Sequence, residues 1–538
     1  MLLFSFNGIR WGRVECWNRD EMALKGWHGK PRSYLKPPGV VFLNQVVVLS
    51  SVERVEKLVK YLTGKREHYN EAKLLGSRFL VVALYAGTVV LAFQISLTYY
   101  GVFAARFIAL VFATSAGFVE YNHFLSCDSP LLFWMMLAFY FAMRITLTGR
   151  WIDYLMACFI TGVATNMKYN GLAVGFALVV AHVLLSWNRS WKDRVFSSHL
   201  IAGLAMVPVG FIVTDPYVLW DYKKFVSDFM YNYAVTPVYD GQLKGYGYTR
   251  FLADFPEILG WPGTVLIAAA ILASLAQIAW RPSFSEHRER SGFLLAASVF
   301  ALYFIKIGSF PRMETRFVLP SIPFAVLSAG PFLQSAARRA RWFYILAVPV
   351  LLYNCVCSFV VGMRFNDDPR IEAQDWMEAN ARGARRIESS AGSPHWYKLH
   401  ALDGLEELEV QHLDWSKPIV EETVDLRMPH DNGRAKLFEK VFKANKWVSG
   451  QAASQEGVCD ERLFCRTELL RRNPDIITIH SSDYLVPSAI VHAYYLDLIH
   501  GEFPYEVVYD RESKPANRWL YPLDIDFLWG REVLLVRK

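Results

Sequence analysis

Between residues 77 and 362 the chain is an almost unbroken series of apolar stretches, each near the roughly 17–25 residues that a helix needs to cross a bilayer. They read as ten spans, at 77–97, 101–118, 129–147, 151–167, 171–187, 199–219, 261–280, 292–309, 317–334 and 342–362. Within hydrocarbon a backbone must satisfy its own hydrogen bonds, so such a series predicts a helical bundle. The connections are mostly tight, which favours antiparallel neighbours. Composition agrees. The 538 residues are 53% hydrophobic and 15% aromatic, and 20% are charged, below the roughly 25% of soluble domains. A net charge of +7, scattered among apolar runs, makes nucleic acid a poor partner and lipid phosphate a better one.

Two segments flank the series. Residues 1–76 open with MLLFSFNGIRW, too short for a secretory signal or a span, and continue into the charged stretch Trp17–Pro38, which carries the acidic pair Asp20 and Glu21 and then Lys36-Pro37-Pro38. Pro38–Ser51 suits a helix lying at the interface, and a polar amphipathic stretch follows to Gly76. From residue 363 the composition becomes that of a soluble domain of about 170 residues. DDPRIEAQDWMEANARG predicts a helix with Ala373, Trp376 and Met377 inward, ended by Gly383; IITIHSS, YEVVYD and REVLLVRK predict strands. The expected architecture is therefore a polytopic α-helical membrane protein, bundle at 77–362, with a C-terminal soluble α/β domain at 363–538. None of the seven cysteines shows metal-type spacing, and Cys459 and Cys465 are the pair placed to form a disulfide in an oxidising compartment.

Lys and Arg in short loops set orientation. Arg150, then Arg189, Lys192 and Arg194, then Arg281, Arg288 and Arg290, then Arg338, Arg339 and Arg341 fall on alternate loops and mark the cytoplasmic side. The opposite side receives Asp20, Glu21, Asp128, Lys168, the loop from 220 to 260, Arg312 and the C-terminal domain. Each polar group there has an ordinary reading. Asp128, before Ser129-Pro130, suits a helix cap; Lys168 ends a span and can snorkel to headgroups; Glu120 and His123 can be interfacial. Tyr222, Tyr231, Tyr233, Tyr239, Tyr246 and Tyr248 suit an aromatic belt. Lys306, Arg312 and Arg316 run against the positive-inside trend, which favours anion binding. Taken together, acids and cations gathered on one membrane face suit a single chemistry. A carboxylate deprotonates an acceptor as it attacks an anomeric carbon, and Lys and Arg stabilise a departing phosphate.

The order DE, YLKPPG, CDSPLLFW, MKYNG and ETRFVLPSIP resembles the polyprenyl-phosphate-dependent glycosyltransferases of the GT-C fold, and most closely bacterial proteins similar to protein O-mannosyltransferases and aminoarabinose transferases. The resemblance runs from Trp17 to Gly362, and DPRIEAQDWMEAN and HSSDYLVPS extend it into the trailing domain. It implies Asp20 as catalytic base with Glu21 beside it, Asp128 as the acid of the second outer loop, and Lys36, Lys168 and Arg316 near the donor phosphate; the cation cluster adds Arg312 as a phosphate ligand. His123 and Lys306 are further candidates. Family members carry a complete span before the DE loop, so a chain start set too far downstream, or a truncated copy, is expected here.

The resulting expectation is an inverting glycosyltransferase of the cytoplasmic (inner) membrane, with active site and C-terminal domain extracytoplasmic. It would move a sugar from a polyprenyl-phosphate donor to a glycan, lipid or protein acceptor. The sequence fixes no cofactor, and Asp20, Glu21 and Asp128 leave a divalent cation open. Two other classes remain: a transporter or flippase for a lipid-linked glycan, which would carry ionisable groups near the midplane of its spans, and a non-catalytic truncated homologue.

Overall fold

The computed structural model describes residues 1–11, 34, 37–63, 70–188, 190–235, 247–280, 287–310, 313–339, 342–380, 384–391, 406–411, 464–480, 489–512 and 531–538. The chain divides into two compact units, one dominated by Met22–Gly362 with Met1–Ile9, the other by Met363–Lys538, to which Arg10 and Trp11 also belong.

The first unit is helical. Six helices among the described residues are long and apolar enough to cross a membrane: Asn70–Tyr99, Asp128–Thr148, Trp261–Trp280, His287–Gly308, Thr315–Arg339 and Phe343–Met377. The chain is a multi-pass membrane protein. Several of the ten expected spans prove shorter than sequence suggests. The stretch expected at 101–118 breaks at Ser115, whose extended backbone separates helix Val102–Thr114 from Ala116–Tyr121. The span expected at 199–219 ends at Thr214, because Asp215-Pro216 turns the chain into a 3-10 turn. Proline removes a donor and disfavours helix in the residue before it. The amphipathic stretch after Pro38 is a run of helix, with Gly39–Asn44, a π turn at Gln45–Leu49 and Ser50–Thr63.

Two local devices place the candidate site. Helix Asp128–Thr148 ends at Gly149, whose φ of 58° is the left-handed cap that glycine adopts without strain, and the next helix, Trp151–Met167, starts two residues later. This hairpin packs 151–167 antiparallel to 128–148. Its other face meets helix Ser198–Thr214 at a backbone-to-backbone crossing. A Cβ at Gly162 would lie 2.0 Å from the Val207 carbonyl oxygen, and one at Gly210 would lie 1.9 Å from that of Phe159. Small residues allow this close approach, and with lipid outside it is dispersion between backbones that holds the pair.

The second unit holds a five-stranded sheet in the order β2-β1-β3-β5-β4, with β1 Arg386–Ala391, β2 Glu406–Gln411, β3 Ile476–His480, β4 Tyr505–Glu512 and β5 Arg531–Arg537. β1 lies parallel to β2 and β3, whereas β5 runs antiparallel to both β3 and β4. The three strands legible in sequence are β3, β4 and β5; RIESSA and EELEVQ, rich in glutamate and serine, gave no signal for β1 and β2. Helix Pro369–Asn380 buries Ala373 and Met377 fully, with Trp376 half-buried. Gly383 lies outside the described residues. The core gathers Leu469, Ile477, Ile479, Tyr494, Leu498, Val533 and Leu535. Across it Arg472 forks onto Glu388 at 2.8 and 2.9 Å, and Tyr494 adds a third bond to the same carboxylate. Cys465 is exposed, and Cys459, its expected disulfide partner, lies outside the described residues.

Replacing Gly210 by valine should force the 151–167 and 198–214 helices apart. We expect the melting temperature of the detergent-purified protein to fall by several degrees. Valine at Ala205, on the same helix and away from the crossing, should change it little.

Candidate functional site

The site is built where helices end. Asp128 is the first residue of its helix, and side chains bond to its carboxylate. One oxygen accepts from Lys168 Nζ at 2.7 Å, and the other from Ser126 Oγ at 3.2 Å. Lys168 stands one residue beyond helix Trp151–Met167 in extended backbone, so its side chain leaves the helix axis. The following turn, Tyr169–Val174, is held tightly. Gly171 leaves no space for a Cβ, which would lie 2.4 Å from the Ala164 oxygen, and Tyr303 Oη donates to the Asn170 carbonyl at 2.9 Å. The ion pair is largely enclosed, with side-chain exposures of 18% for Lys168 and 3% for Asp128.

Lys168 and Arg316 lie over the same ring, Phe317, at 5.4 and 5.7 Å from its centroid. Phe317 thus brings two cations from separate parts of the chain to one place. Arg316 also pairs with Glu314. Burial draws the Lys168 pKa down, but Asp128 more than offsets this, leaving it above the ordinary 10.5. A raised lysine pKa contributes stability that is complete below 10.5 and lost only as pH climbs through the folded value, so the ammonium persists across working pH. With Asp128 on Lys168 and Glu314 on Arg316, the cradle around Phe317 holds two cations and two acids.

The remaining sequence candidates divide. Asp20, Glu21, Lys36 and Arg312 lie outside the described residues. The described residues on either side of Lys36 both meet the Lys168 turn: Tyr169 Oη donates to the Tyr34 carbonyl at 2.5 Å, and Gly39 packs against the Asn166 carbonyl with no space for a Cβ. Lys306 is exposed at the end of helix His287–Gly308, over the Phe310 ring at 5.7 Å, and its amine is not brought to Phe317. His123 is fully buried between two carbonyls, those of Val119 at 2.8 Å and Asn7 at 2.7 Å. Burial pushes its pKa down to about 4, so the neutral ring holds the N-terminal segment in place and is not poised for proton transfer. Among the described residues no group of three or more His, Cys, Asp or Glu is set to hold a metal ion. Tyr34, Ser126, Tyr169, Tyr303 and Phe317 escaped the sequence reading. Tyr34, Tyr169 and Phe317 stand inside the YLKPPG, MKYNG and ETRFVLPSIP elements, where their letters were visible but their bonds were not.

Residues 70–220 match the family model described as dolichyl-phosphate-mannose-protein mannosyltransferase. ArnT from Cupriavidus metallidurans bound to undecaprenyl phosphate superposes with a TM-score of 0.51 at 13% identity, covering 99% of this chain and 96% of that one. Its apo structure gives 0.50 at 14% identity with the same coverage. The chain has the GT-C fold. No curated protein sequence matches it. The family match spans the described part of the cradle that carries Asp128 and Lys168, and the GT-C architecture supplies the bundle and the trailing domain expected from the sequence.

Removing one partner of an enclosed ion pair strands the other. Asp128→Ala should cost on the order of 3 kcal/mol, read as a lower melting temperature in detergent. Adding Lys168→Met should recover much of it; a double variant no more stable than Asp128→Ala would show that the pair does not act as a unit.

Proposed function

We propose that the chain is an inverting glycosyltransferase that takes its sugar from a polyprenyl-phosphate donor at the outer face of the cytoplasmic membrane. The observation that carries this reading is the convergence of Lys168 and Arg316 on Phe317, with Asp128 orienting Lys168, in a GT-C fold. Two fixed cations at helix ends match a leaving group that departs as a phosphate and needs charge compensation instead of a general acid. The ArnT structure bound to undecaprenyl phosphate supports the donor class. The chain segments beside Lys36, both in contact with the 166–169 turn, support that lysine as a third phosphate ligand, and Arg312 lies four residues before Arg316 in sequence.

The chemistry balances with this chain's own groups. The acceptor oxygen or nitrogen bonds to the anomeric carbon as the carbon–oxygen bond to phosphate breaks. Its proton passes to a carboxylate, for which Asp20 is our assignment with Glu21 beside it. The electron pair leaves on the polyprenyl phosphate, held by Lys168 and Arg316. Asp128 is a positioning group, since its oxygens are already committed to Lys168 and Ser126. A divalent cation near Asp20 and Glu21 remains a proposal for chelation to test. A glycan transporter would instead place charges within the spans, whereas Asp128 and Lys168 both stand at helix termini.

The test is transfer of radiolabelled sugar from a polyprenyl-phosphate donor into membranes containing the expressed chain. Asp20→Asn should lower transfer by about 10²–10⁴-fold while the protein remains folded. Lys168→Met should also lower it, with Asp128→Asn milder. Full activity in Asp20→Asn would remove it from the base role. Silence of the unmutated chain with every donor sugar would turn the reading towards transport or scaffolding.

A further inference from the structure

An acidic cluster, Asp215, Asp221 and Asp228, follows helix Ser198–Thr214, and its last member lies inside helix Tyr222–Val235. Local chemistry disfavours aspartate at that position. It is a poor residue for a helix interior. Its i,i+4 partner Lys224, at 2.8 Å, precedes it, which is the weaker order for such a pair because it runs against the helix dipole. Asp228 is also only 1% exposed, and a carboxylate out of water is strongly disfavoured unless it is bonded.

The carboxylate reaches a distant part of the chain instead. It accepts the Tyr34 N–H at 2.8 Å, across 194 residues of sequence. Tyr34 belongs to no helix or strand, so its peptide groups need partners from elsewhere. Asp228 takes the N–H, and Tyr169 Oη donates to the carbonyl at 2.5 Å. One residue is thus gripped at both its donor and its acceptor. A charged acceptor makes the first of these bonds stronger than a neutral one would. Rings support the grip: Tyr34 stands edge-on to Phe225 at 5.6 Å, one turn before Asp228, and Phe229 meets Tyr169 edge-on at 5.0 Å. Lys36 is the second residue after Tyr34, and Tyr169 directly follows Lys168. The grip therefore joins the stretches that carry two of the cations assigned to the phosphate.

We propose that Asp228 is a positioning residue for the donor phosphate: it holds the Tyr34 backbone so that Lys36 meets the same phosphate as Lys168. It acts through Lys36 and makes no contact with the donor. This rests on the glycosyltransferase reading, in which Lys36 is a phosphate ligand.

The test titrates undecaprenyl phosphate calorimetrically into the full chain in detergent. Lys36→Met should weaken binding about tenfold, and Asp228→Ala by a similar factor. Asp228→Asn keeps an oxygen to accept the Tyr34 N–H, so it should stay within about threefold of the unmutated chain. Because Asp228 acts through Lys36, Asp228→Ala combined with Lys36→Met should bind like Lys36→Met alone, whereas a merely structural role would multiply the two losses. Tyr169→Phe releases the carbonyl side of the same grip and serves if Asp228→Ala does not fold. It should weaken binding about threefold, and not at all once Lys36 is replaced by methionine. Undiminished binding in Asp228→Ala or Lys36→Met, equal loss in Asp228→Asn and Asp228→Ala, or multiplied losses in either double variant would each overturn the inference. Failure of the unmutated chain to bind undecaprenyl phosphate would instead count against the glycosyltransferase reading.

Discussion

The arrangement depends on a charge pair formed at the ends of two helices that are neighbours through a two-residue turn. Helices 128–148 and 151–167 are antiparallel, so the start of one and the finish of the other fall on the same side. Asp128 therefore stands near a helix N-terminus, where its negative charge is favoured, and Lys168 just past a C-terminus, where its positive charge is favoured. The pair and both helix dipoles reinforce each other. In an apolar bundle, such a site gathers charge at little penalty, because every group involved already lies at a helix end.

Much of this was legible, for reasons tied to period and length. Apolar runs of spanning length announced helices, but the end at Asp215-Pro216 was read through, because the residues beyond it stay apolar. β3, β4 and β5 were legible because IITIH, YEVVYD and REVLLVR carry the branched and aromatic residues of half-buried strands. β1 and β2 were not: their pairing with β3 is parallel and long-range, and RIESSA has no pattern of its own. Read from the residues alone, Asp128 was a cap and Lys168 a snorkelling lysine, and only the family resemblance set them in one site. Only the hairpin reveals that forty residues of sequence separate two atoms 2.7 Å apart. The cation–ring contacts on Phe317 were invisible for the same reason.

The acidic cluster illustrates a different limit. Asp215, Asp221 and Asp228 look like unremarkable loop acids, since nothing in their spacing states that they are enclosed. Asp228 is buried and held by Lys224 and the Tyr34 N–H, which is a property of the surroundings and not of the residue. Tyr34 shows how such surroundings are assembled. It belongs to no regular element, and its backbone N–H and carbonyl are each satisfied by a side chain, Asp228 and Tyr169, instead of by a neighbouring strand or helix turn.

The glycine crossing sets the scale for all of this. Gly162 and Gly210 bring two helices into backbone contact, and both helices finish on the same side, at Met167 and Thr214. Neither can slide or rotate past the other without driving a carbonyl into an α-carbon. The cation Lys168 and the anion Asp215 are each the next residue beyond those ends. Their separation is thus set by backbone contact at the crossing, so a change at either glycine would move both charged ends together.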